Sequence, residues 1–223
     1  MKKQALVTGA SKGIGYALVN ELLSKGYSII GTCRSGDIMD FENKDFKSIS
    51  LDLSKPNSIK DFVQQINSEE IRIDLLINNA GIGPDLDFEL PELNTFESTF
   101  EVNVKGTVLL TEQLLSSIVK GGRILNISSK MGSINYCEKF DSVAYRMSKS
   151  ALNMYTKILS NRIKDRISVA AIHPGWVKTT ITKSNIDGRL TPAESSSRIL
   201  RYLENEFENG DFWDAERNVK LKW

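Results

Sequence analysis

The sequence predicts an α/β fold: a single doubly wound domain with a mostly parallel sheet of about seven strands and helices on both faces. Short apolar segments recur along the chain, amphipathic helical segments lie between most of them, and a glycine-rich turn directly follows the first apolar segment. Strand–helix alternation of this kind is typical of parallel sheets with helical crossovers. We expect residues 1–223 to form one domain.

Six apolar segments are expected to be strands. Their apolar residues are continuous rather than alternating, which is typical of strands covered on both faces. The segments are residues 5–7, 28–33, 47–51, 74–77, 123–127 and 167–172. This pattern favours a parallel sheet between two helical layers.

Helical periodicity is present between most of these strands. Residues 14–25 have one apolar face and end at Gly26, and residues from about 56 to 67 carry apolar side chains at three- and four-residue spacing. Residues 191–194, Thr-Pro-Ala-Glu, read as a capping box. The helix that they open is expected to end near residues 209–210.

A longer helix is expected in the middle of the chain. Asn94 and Glu97 read as its N-cap and capping partner, and it is expected to run to about Lys120. Asn103 falls inside this helix. A buried Asn is unfavourable in mid-helix, so we expect its side chain to have a specific partner.

Composition and charge exclude several classes of protein. Hydrophobic residues make up 40% of the chain and charged residues 26%, which excludes wholesale disorder, and the net charge of +1 gives no basic excess for nucleic acid or an anionic membrane. No apolar run approaches a membrane span or a signal peptide. Cys33 and Cys137 are too few for a disulfide framework or a zinc site, and no other metal-ligand spacing is present. We expect a cytoplasmic protein without a metal.

The glycine-rich turn has the sequence Thr-Gly-Ala-Ser-Lys-Gly-Ile-Gly, residues 8–15. Gly9 permits a tight turn, Gly13 lets the backbone approach a pyrophosphate, and Gly15 permits close helix–strand packing. The helix that follows directs free N–H groups and a positive dipole end at the phosphates. Glycine-rich turns also occur as simple tight connections. The position of this turn directly after the first strand is what favours the functional interpretation.

Two polar patterns in the second half of the chain indicate chemistry. Tyr145 and Lys149 are four residues apart, which places the phenol and the ammonium on one face of a helix. Residues 126–129, Asn-Ile-Ser-Ser, end an expected strand whose tip faces the ligand crevice in such sheets. Each pattern is also common as a surface pair or a turn.

Taken together and in order, six motifs resemble those of the short-chain dehydrogenase/reductase family, from about residue 4 to residue 180. The resemblance implies a Rossmann-type domain that binds NAD(P) and contains an integrated substrate pocket. Within the family, the chain resembles C-factor-type signalling proteins and sniffer-type carbonyl reductases. The motifs are residues 8–15, Asn78–Gly81, Asn103, Ser129, Tyr145 with Lys149, and His173–Val177.

The resemblance implies a catalytic set. Tyr145 would be the general acid, with Lys149 as the cation that favours its charged form and holds the nicotinamide ribose. Ser129 would hydrogen-bond the substrate oxygen, and Asn103 would hold a water linking Lys149 to solvent. Ser129 is chosen over Ser128 because the family's serine is usually the second of such a pair, with glycine three residues later.

The interval from Ser129 to Tyr145 is longer than is common in the family. It implies a short insertion within residues 135–142, which would reshape the loop beside the substrate. Cys137 lies in this loop; a small loop residue is the simpler interpretation, and a nucleophile the other.

The cofactor is expected to be NADP(H). An acid at the tip of the second strand would bind a ribose 2′-hydroxyl, but this chain has Cys33 followed by Arg34, and Lys12 adds a second cation. By resemblance, Asp52 would contact the adenine. The full set of expected cofactor-binding residues is Gly9, Ser11, Lys12, Gly13, Ile14, Gly15, Arg34, Asp52, Leu53, Asn79, Ala80, Gly81, Tyr145, Lys149, Pro174, Gly175, Val177 and Thr179.

These observations favour an NADPH-dependent reductase of small aldehydes, ketones or quinones. An NADP-binding regulatory protein and an NAD-dependent alcohol dehydrogenase remain as alternatives. The complete Asn-Ser-Tyr-Lys set argues against a regulatory protein, and Arg34 argues against an NAD-dependent enzyme. A hydrolase built on His173, the only histidine, is disfavoured because Pro174 and Gly175 follow it. Only about a dozen residues follow Thr180 before the last helix, a short lid that favours a permissive pocket.

The expected partners are a small carbonyl substrate and a second copy of the chain. In the family, the helices that carry Asn103 and Tyr145 commonly pack across a two-fold axis. The long helix is expected to carry more apolar surface than one buried stripe needs. The residues counted are Val108, Leu109, Leu114, Leu115 and Ile118.

Overall fold

The computed structural model describes residues 2–38, 43–86, 88–205 and 207–223. Eight strands lie in these ranges, and they form one sheet in the order β3-β2-β1-β4-β5-β6-β7-β8, in which only β8 is antiparallel. The strands are β1 (Gln4–Val7), β2 (Ser28–Cys33), β3 (Phe46–Ser50), β4 (Ile73–Asn78), β5 (Ile118–Ile127), β6 (Ser168–His173), β7 (Phe212–Asp214) and β8 (Val219–Lys220).

Helices cover both faces of the sheet, as the sequence predicts. One core cluster contains apolar residues of α1 and α6, and the other contains residues of α2, α4 and α5. The helices are α1 (Gly13–Ser24), α2 (Pro56–Ser68), α3 (Leu93–Phe100), α4 (Thr107–Leu114), α5 (Val143–Arg162) and α6 (Pro192–Asn205). The predicted doubly wound α/β fold is confirmed.

The sheet order places a crevice between β1 and β4. The chain moves outward from β1 to β3, and α2 then returns it to the other side of β1, so the loops after β1 and β4 leave the sheet in opposite directions. Ligands bind at such a switch point in open α/β sheets.

The predicted long helix is wrong at both ends. It begins at Leu93, so Asn94 is already helical and makes no cap bond, and it ends at Leu114 rather than near Lys120. Ile118 begins β5, where it is buried, as Leu114 is in α4. These two side chains therefore belong to the core and add nothing to an exposed apolar surface.

The last helix begins as predicted and ends early. The Thr191 N–H donates to Glu194 Oε2 at 2.8 Å, and the Glu194 N–H donates to Thr191 Oγ1 at 3.2 Å, which is a capping box. The helix ends at Asn205, short of Asn209. The Asn209 side chain instead bonds the Val169 N–H at 2.8 Å and the Ser160 carbonyl at 3.0 Å.

The apolar pattern of the sequence did not predict the two short strands at the carboxyl end. β7 has three residues and β8 has two, which is too short for a periodicity to register. Among the described residues, no helix is long and apolar enough to cross a membrane.

Candidate active site

The glycine-rich turn is held to the loop after β4 by Asn79. Its Nδ2 donates to the carbonyls of Thr8 at 2.8 Å and Gly9 at 3.1 Å. In return, Thr8 Oγ1 accepts the N–H groups of Asn79 and Ala80, each at 3.0 Å. The two loops that flank the switch point therefore form one rigid unit.

Close backbone packing explains why glycine is needed in this turn. A Cβ at Gly15 would lie 2.2 Å from the Gly9 carbonyl oxygen, so no side chain fits there. Gly13 has φ +58°, and a Cβ on it would contact Thr179 Cγ2 at 3.5 Å. The turn and the loop after β6, predicted to share a ligand, thus approach each other.

The amino terminus of α1 fits a phosphate group. The preceding residue, Lys12, is exposed and makes no side-chain cap bond, so its side chain leaves the helix terminus free. A helix terminus of this kind binds phosphates through N–H groups and its dipole. The residues present therefore fit the pyrophosphate of a dinucleotide; Ser11 is exposed beside it, and Ile14 packs against the core.

At the tips of β2 and β3, a cation stands near a carboxylate. Arg34 is exposed, and its backbone carbonyl accepts a bond from Ser50 Oγ at 3.0 Å. Partial burial favours neutral Asp52, but hydrogen bonds from Ser54 and the charge of Arg34 outweigh it and lower the pKa of Asp52. Leu53 is buried in the core, so only its backbone remains for a ligand contact.

A chain of buried side chains connects the ends of β4 and β5 to the helices behind them. Asn78 Nδ2 donates to Asn126 Oδ1 at 2.8 Å and to Thr111 Oγ1 of α4 at 2.9 Å, and Asn126 Nδ2 donates to Thr156 Oγ1 of α5 at 2.8 Å. Since α5 also carries Tyr145 and Lys149, this network links the helix of both residues to the ends of β4 and β5.

Tyr145 and Lys149 lie together in a buried environment. Lys149 Nζ donates to the Ile127 carbonyl at 2.9 Å and lies 5.6 Å from the centre of the Tyr145 ring. Burial lowers the pKa of Lys149 to about 8. Burial also raises the pKa of Tyr145 to about 12; the Ser129 hydroxyl opposes this rise, and the charge of Asp85 adds to it. In this structure burial therefore dominates the pKa of the phenol, and the lowering expected from Lys149 is not observed.

Asn103 has the specific partners that its mid-helix position predicts. It lies in a π-helical segment, Glu101–Gly106, between α3 and α4. Its Oδ1 accepts the Ile82 N–H at 2.8 Å, and its Nδ2 donates to the Ile82 carbonyl at 2.7 Å and to Ser148 Oγ at 3.1 Å. Asn103 thus joins the loop after β4 to α5. Asn103 Oδ1 and Lys149 Nζ both lie beside Gly81, where an added Cβ would be 3.2 and 3.5 Å from them.

The two serines after β5 have different surroundings. Ser128 Oγ donates to Asn153 Oδ1 at 2.6 Å in the interior, while Ser129 lines a cavity together with Tyr145. Gly132 is required by packing, because a Cβ there would lie 2.6 Å from the backbone of Lys149. This contact gives a physical reason for a glycine three residues after the serine.

The cavity has a volume of about 320 Å³ and opens at the carboxyl ends of β5 and β6. Tyr136 from the 135–142 loop reaches it, whereas Lys149 and Asn103 lie outside its lining. The lining residues are Leu86, Ser129, Lys130, Met131, Tyr136, Tyr145, Arg146, His173, Gly175, Trp176, Ile181 and Asn185.

Two residues that the sequence analysis missed hold the loop after β6. Asn185 Nδ2 donates to the Val177 carbonyl at 3.0 Å and to Thr179 Oγ1 at 3.2 Å. Glu216 accepts the Trp176 N–H at 3.0 Å and pairs with Arg189. Neither residue belongs to a motif. Glu216 acts from 40 residues further along the chain, and Asn185 lies outside the His173–Val177 motif, eight residues after Val177.

Asp85 was also missed. It is buried, and its Oδ2 accepts the Tyr145 N–H at 3.1 Å, so it caps the first turn of α5 across 60 residues of sequence. Its Oδ1 is buried with no hydrogen-bond partner among the described residues. An acidic residue in a Gly-Pro-Asp turn would ordinarily be read as part of that turn.

Comparison with known proteins agrees with this geometry. The family described as short chain dehydrogenase matches residues 3–189. The 3-oxoacyl-(acyl-carrier-protein) reductase FabG of Salmonella typhimurium is 30% identical over 223 residues, covering 92% of this chain and 90% of the relative. The NADPH-bound carbonyl reductase from chicken fatty liver is 28% identical, with a TM-score of 0.83 over 100% of this chain and 99% of the other. The carbonyl reductase Sniffer of D. melanogaster is 27% identical, with a TM-score of 0.82 over 100% of both chains.

Proposed function

The chain belongs to the short-chain dehydrogenase family, and from this premise we propose that it is an NADPH-dependent reductase of small aldehydes, ketones or quinones. One observation carries the proposal: the hydroxyls of Ser129 and Tyr145 line the same cavity, and the buried Lys149 ammonium lies behind the phenol. Two hydroxyl groups beside one cavity suit a carbonyl oxygen that gains negative charge. We further propose that residues 1–223 act as one domain with both sites.

The proposed cofactor is supported by the charges at its expected adenosine end. Arg34 and Lys12 are both exposed there. The chicken carbonyl reductase, which shares the fold, was crystallised with NADPH. In this chain the glycine-rich turn, Asn79 to Gly81, and Pro174 to Thr179 would hold the cofactor, which supplies the hydride when bound.

The protein's own groups would handle the proton. Tyr145 Oη would donate a proton to the substrate oxygen, and its raised pKa keeps the phenol protonated until then. Ser129 Oγ would donate a hydrogen bond to the same oxygen. Lys149, whose pKa of about 8 lies near neutrality, would return a proton toward the tyrosine, and Asn103 would hold the loop and helix around it.

The test is an NADPH-oxidation screen across aldehydes, ketones, quinones and a 3-oxoacyl thioester, run beside NADH. Reduction of at least one class with NADPH preferred is the expected result. Reduction with NADH alone would favour an NAD-dependent dehydrogenase. Tight NADPH binding without turnover of any member would instead favour a regulatory protein.

We also propose a homodimer in the cytoplasm. α5 exposes Met147, Met154 and Ile158 on one side, with 49%, 63% and 53% of each accessible, and Leu109 of α4 is exposed as well. An apolar stripe of this kind favours an isologous helix–helix contact. Both cysteines are free, which suits a reducing compartment. Light scattering should return about twice the 25.0 kDa chain mass, and a monomer at micromolar concentration would refute the dimer.

A further inference from the structure

The cavity beside Ser129 and Tyr145 has an unbalanced charge. Two of its lining side chains are cationic, Lys130 and Arg146, and none of its described lining residues is acidic. A pocket for a neutral carbonyl compound needs no cation beyond the catalytic set. The charge therefore bears on which carbonyl compounds the site prefers.

Arg146 is already neutralised. Its guanidinium donates to Asp141 Oδ1 at 2.7 and 3.2 Å and to the Asp141 carbonyl at 2.8 Å. The same contact lowers the pKa of Asp141, so the pair stays charged at neutral pH. Arg146 thus contributes little net charge to the cavity.

Lys130 differs, because no carboxylate among the described residues lies within ion-pair distance of it. Its Nζ lies 4.8 Å from the centre of the Tyr136 ring, which orients the ammonium without neutralising it. It is partly buried and directly follows Ser129 in the chain. A cation held in this way is available to a ligand.

The two carboxylates that act on the lining residue His173 are engaged elsewhere. Asp214 Oδ1 accepts the N–H groups of Glu216 at 2.9 Å and Arg217 at 3.0 Å. Glu216 pairs with Arg189 and accepts the Trp176 N–H. Neither therefore serves as the counter-ion of Lys130.

His173 adds a neutral polar group to the same cavity. Burial, aided by Lys130 and Arg189 and opposed by Asp214 and Glu216, lowers the pKa of His173 to about 4. Its Nδ1 is buried without a hydrogen-bond partner among the described residues. The imidazole is therefore uncharged at neutral pH and does not compete with Lys130 for an anion.

We infer that Lys130 binds a carboxylate of the substrate, so that the preferred substrates are carbonyl compounds bearing an anionic group near the reacting carbon. The inference rests on the proposed reductase function for the position of the carbonyl, which Ser129 and Tyr145 would hold. Since Lys130 and Ser129 line one cavity of about 320 Å³, a single small molecule would place its carboxylate at Lys130 and its carbonyl at Ser129. An exposed lysine without such a role would instead give no preference.

The test compares 4-carboxybenzaldehyde with its neutral methyl ester, methyl 4-formylbenzoate, in the presence of NADPH. The native protein should show a kcat/KM at least ten-fold higher for the acid. Lys130→Gln should lower this acid-to-ester ratio at least ten-fold, chiefly through KM for the acid, and Lys130→Arg should restore part of it. Lys139→Gln, which changes an exposed lysine of the neighbouring loop, is the matched control and should leave the ratio unchanged.

A binding measurement separates this inference from the proposed function. Calorimetry should show 4-methylbenzoate binding at least ten-fold more tightly than 4-methylbenzamide, and Lys130→Gln should abolish the difference. If the anion is preferred while neither aldehyde is reduced, the inference stands and the reductase proposal fails. Equal binding of anion and amide, or an equal loss for acid and ester in Lys130→Gln, would overturn the inference.

Discussion

The loops after β1 and β4 and the loops after β5 and β6 lie at the same edge of one sheet but are built differently. The first pair, which forms the proposed cofactor side, is held chiefly by bonds to backbone groups from the Thr8 and Asn79 side chains, and Gly15 leaves no room for a side chain. The second pair, which forms the proposed substrate side, is held by side chains. Asn153 of α5 bonds the loop after β5, and Asn185 and Glu216 bond the loop after β6.

This difference separates what each side can vary. Backbone N–H groups bind the pyrophosphate that all dinucleotides share. The shape of the glycine-rich turn depends on close backbone packing, which few substitutions would preserve. A pocket lined by side chains can change its ligand specificity through single substitutions, because the strands beneath it keep their positions. Substitutions on one side should therefore leave the binding constants of the other largely unchanged.

The largest expected effect is on the substrate side. Tyr145→Phe keeps the ring packing and removes the proton donor, so turnover should fall at least about a hundred-fold while the Kd for NADPH stays unchanged. Ser129→Ala should also be costly, and Ser128→Ala milder. Steady-state kinetics and fluorescence titration check these values; a larger loss in Ser128→Ala than in Ser129→Ala would contradict the assignment of the serine.

Lys149→Met should separate stability from activity. Turnover should fall. The lowered pKa of Lys149 means that burying its charge destabilises the native protein by about 3 kcal/mol at neutral pH, and the substitution removes this cost. The substitution also removes the hydrogen bond to Ile127, which lowers the stability of the variant by about 1 kcal/mol. The cofactor-free variant should therefore unfold at higher denaturant concentration than the native protein at pH 7.

The pH dependence of that advantage has a definite sign. Between pH 8 and 10.5 the native state loses the Lys149 proton while the unfolded state keeps it, so the stability of the native protein rises with pH and the advantage of Lys149→Met shrinks. Urea unfolding at pH 7 and pH 10 measures this. Lys157→Met, at an exposed position of the same helix, is the control, and a destabilised Lys149→Met at pH 7 would contradict the argument.

On the cofactor side, Arg34→Asp should reverse or abolish the preference for NADPH. Native NADPH binding should be at least ten-fold tighter than NADH binding, since losing a paired phosphate costs on the order of 1.5–3 kcal/mol. The KM for the carbonyl substrate should not change. Equal dissociation constants for the two cofactors in the native protein, measured by calorimetry, would disprove the cofactor assignment.

The smallest effect is expected from Asp85, which connects the two sides. Asp85→Asn keeps an acceptor for the Tyr145 N–H and removes the charge that adds to the raised pKa of the phenol. The alkaline limb of the pH–rate profile for reduction should therefore move to lower pH. Asp85→Ala removes the cap as well and should lower the free energy of unfolding by about 1 kcal/mol. If the pH–rate profile of Asp85→Asn does not move, the carboxylate acts only as a cap.

Local patterns predicted most of the sheet and the glycine-rich turn between β1 and α1. Sequence patterns could predict these features because each depends on residues close together in the chain: the six apolar segments, the glycine-rich turn and the capping box of α6. The predicted helix end near Lys120 failed for a related reason. Residues 115–120 are apolar enough for either element, and only pairing between Ile118 and Ile73 of β4 makes a strand there.

By itself the sequence determined the fold class and the family, and it predicted Tyr145, Lys149 and Ser129 as the residues that carry the chemistry. Tertiary structure alone decided the surroundings of those residues. It buried Lys149 beside the Tyr145 ring and capped α5 with Asp85, and within the described part of the chain it gave Lys130, next to Ser129, no counter-ion. Burial and charge pairing depend on what the rest of the chain brings within a few ångströms, and a linear pattern contains no such distances.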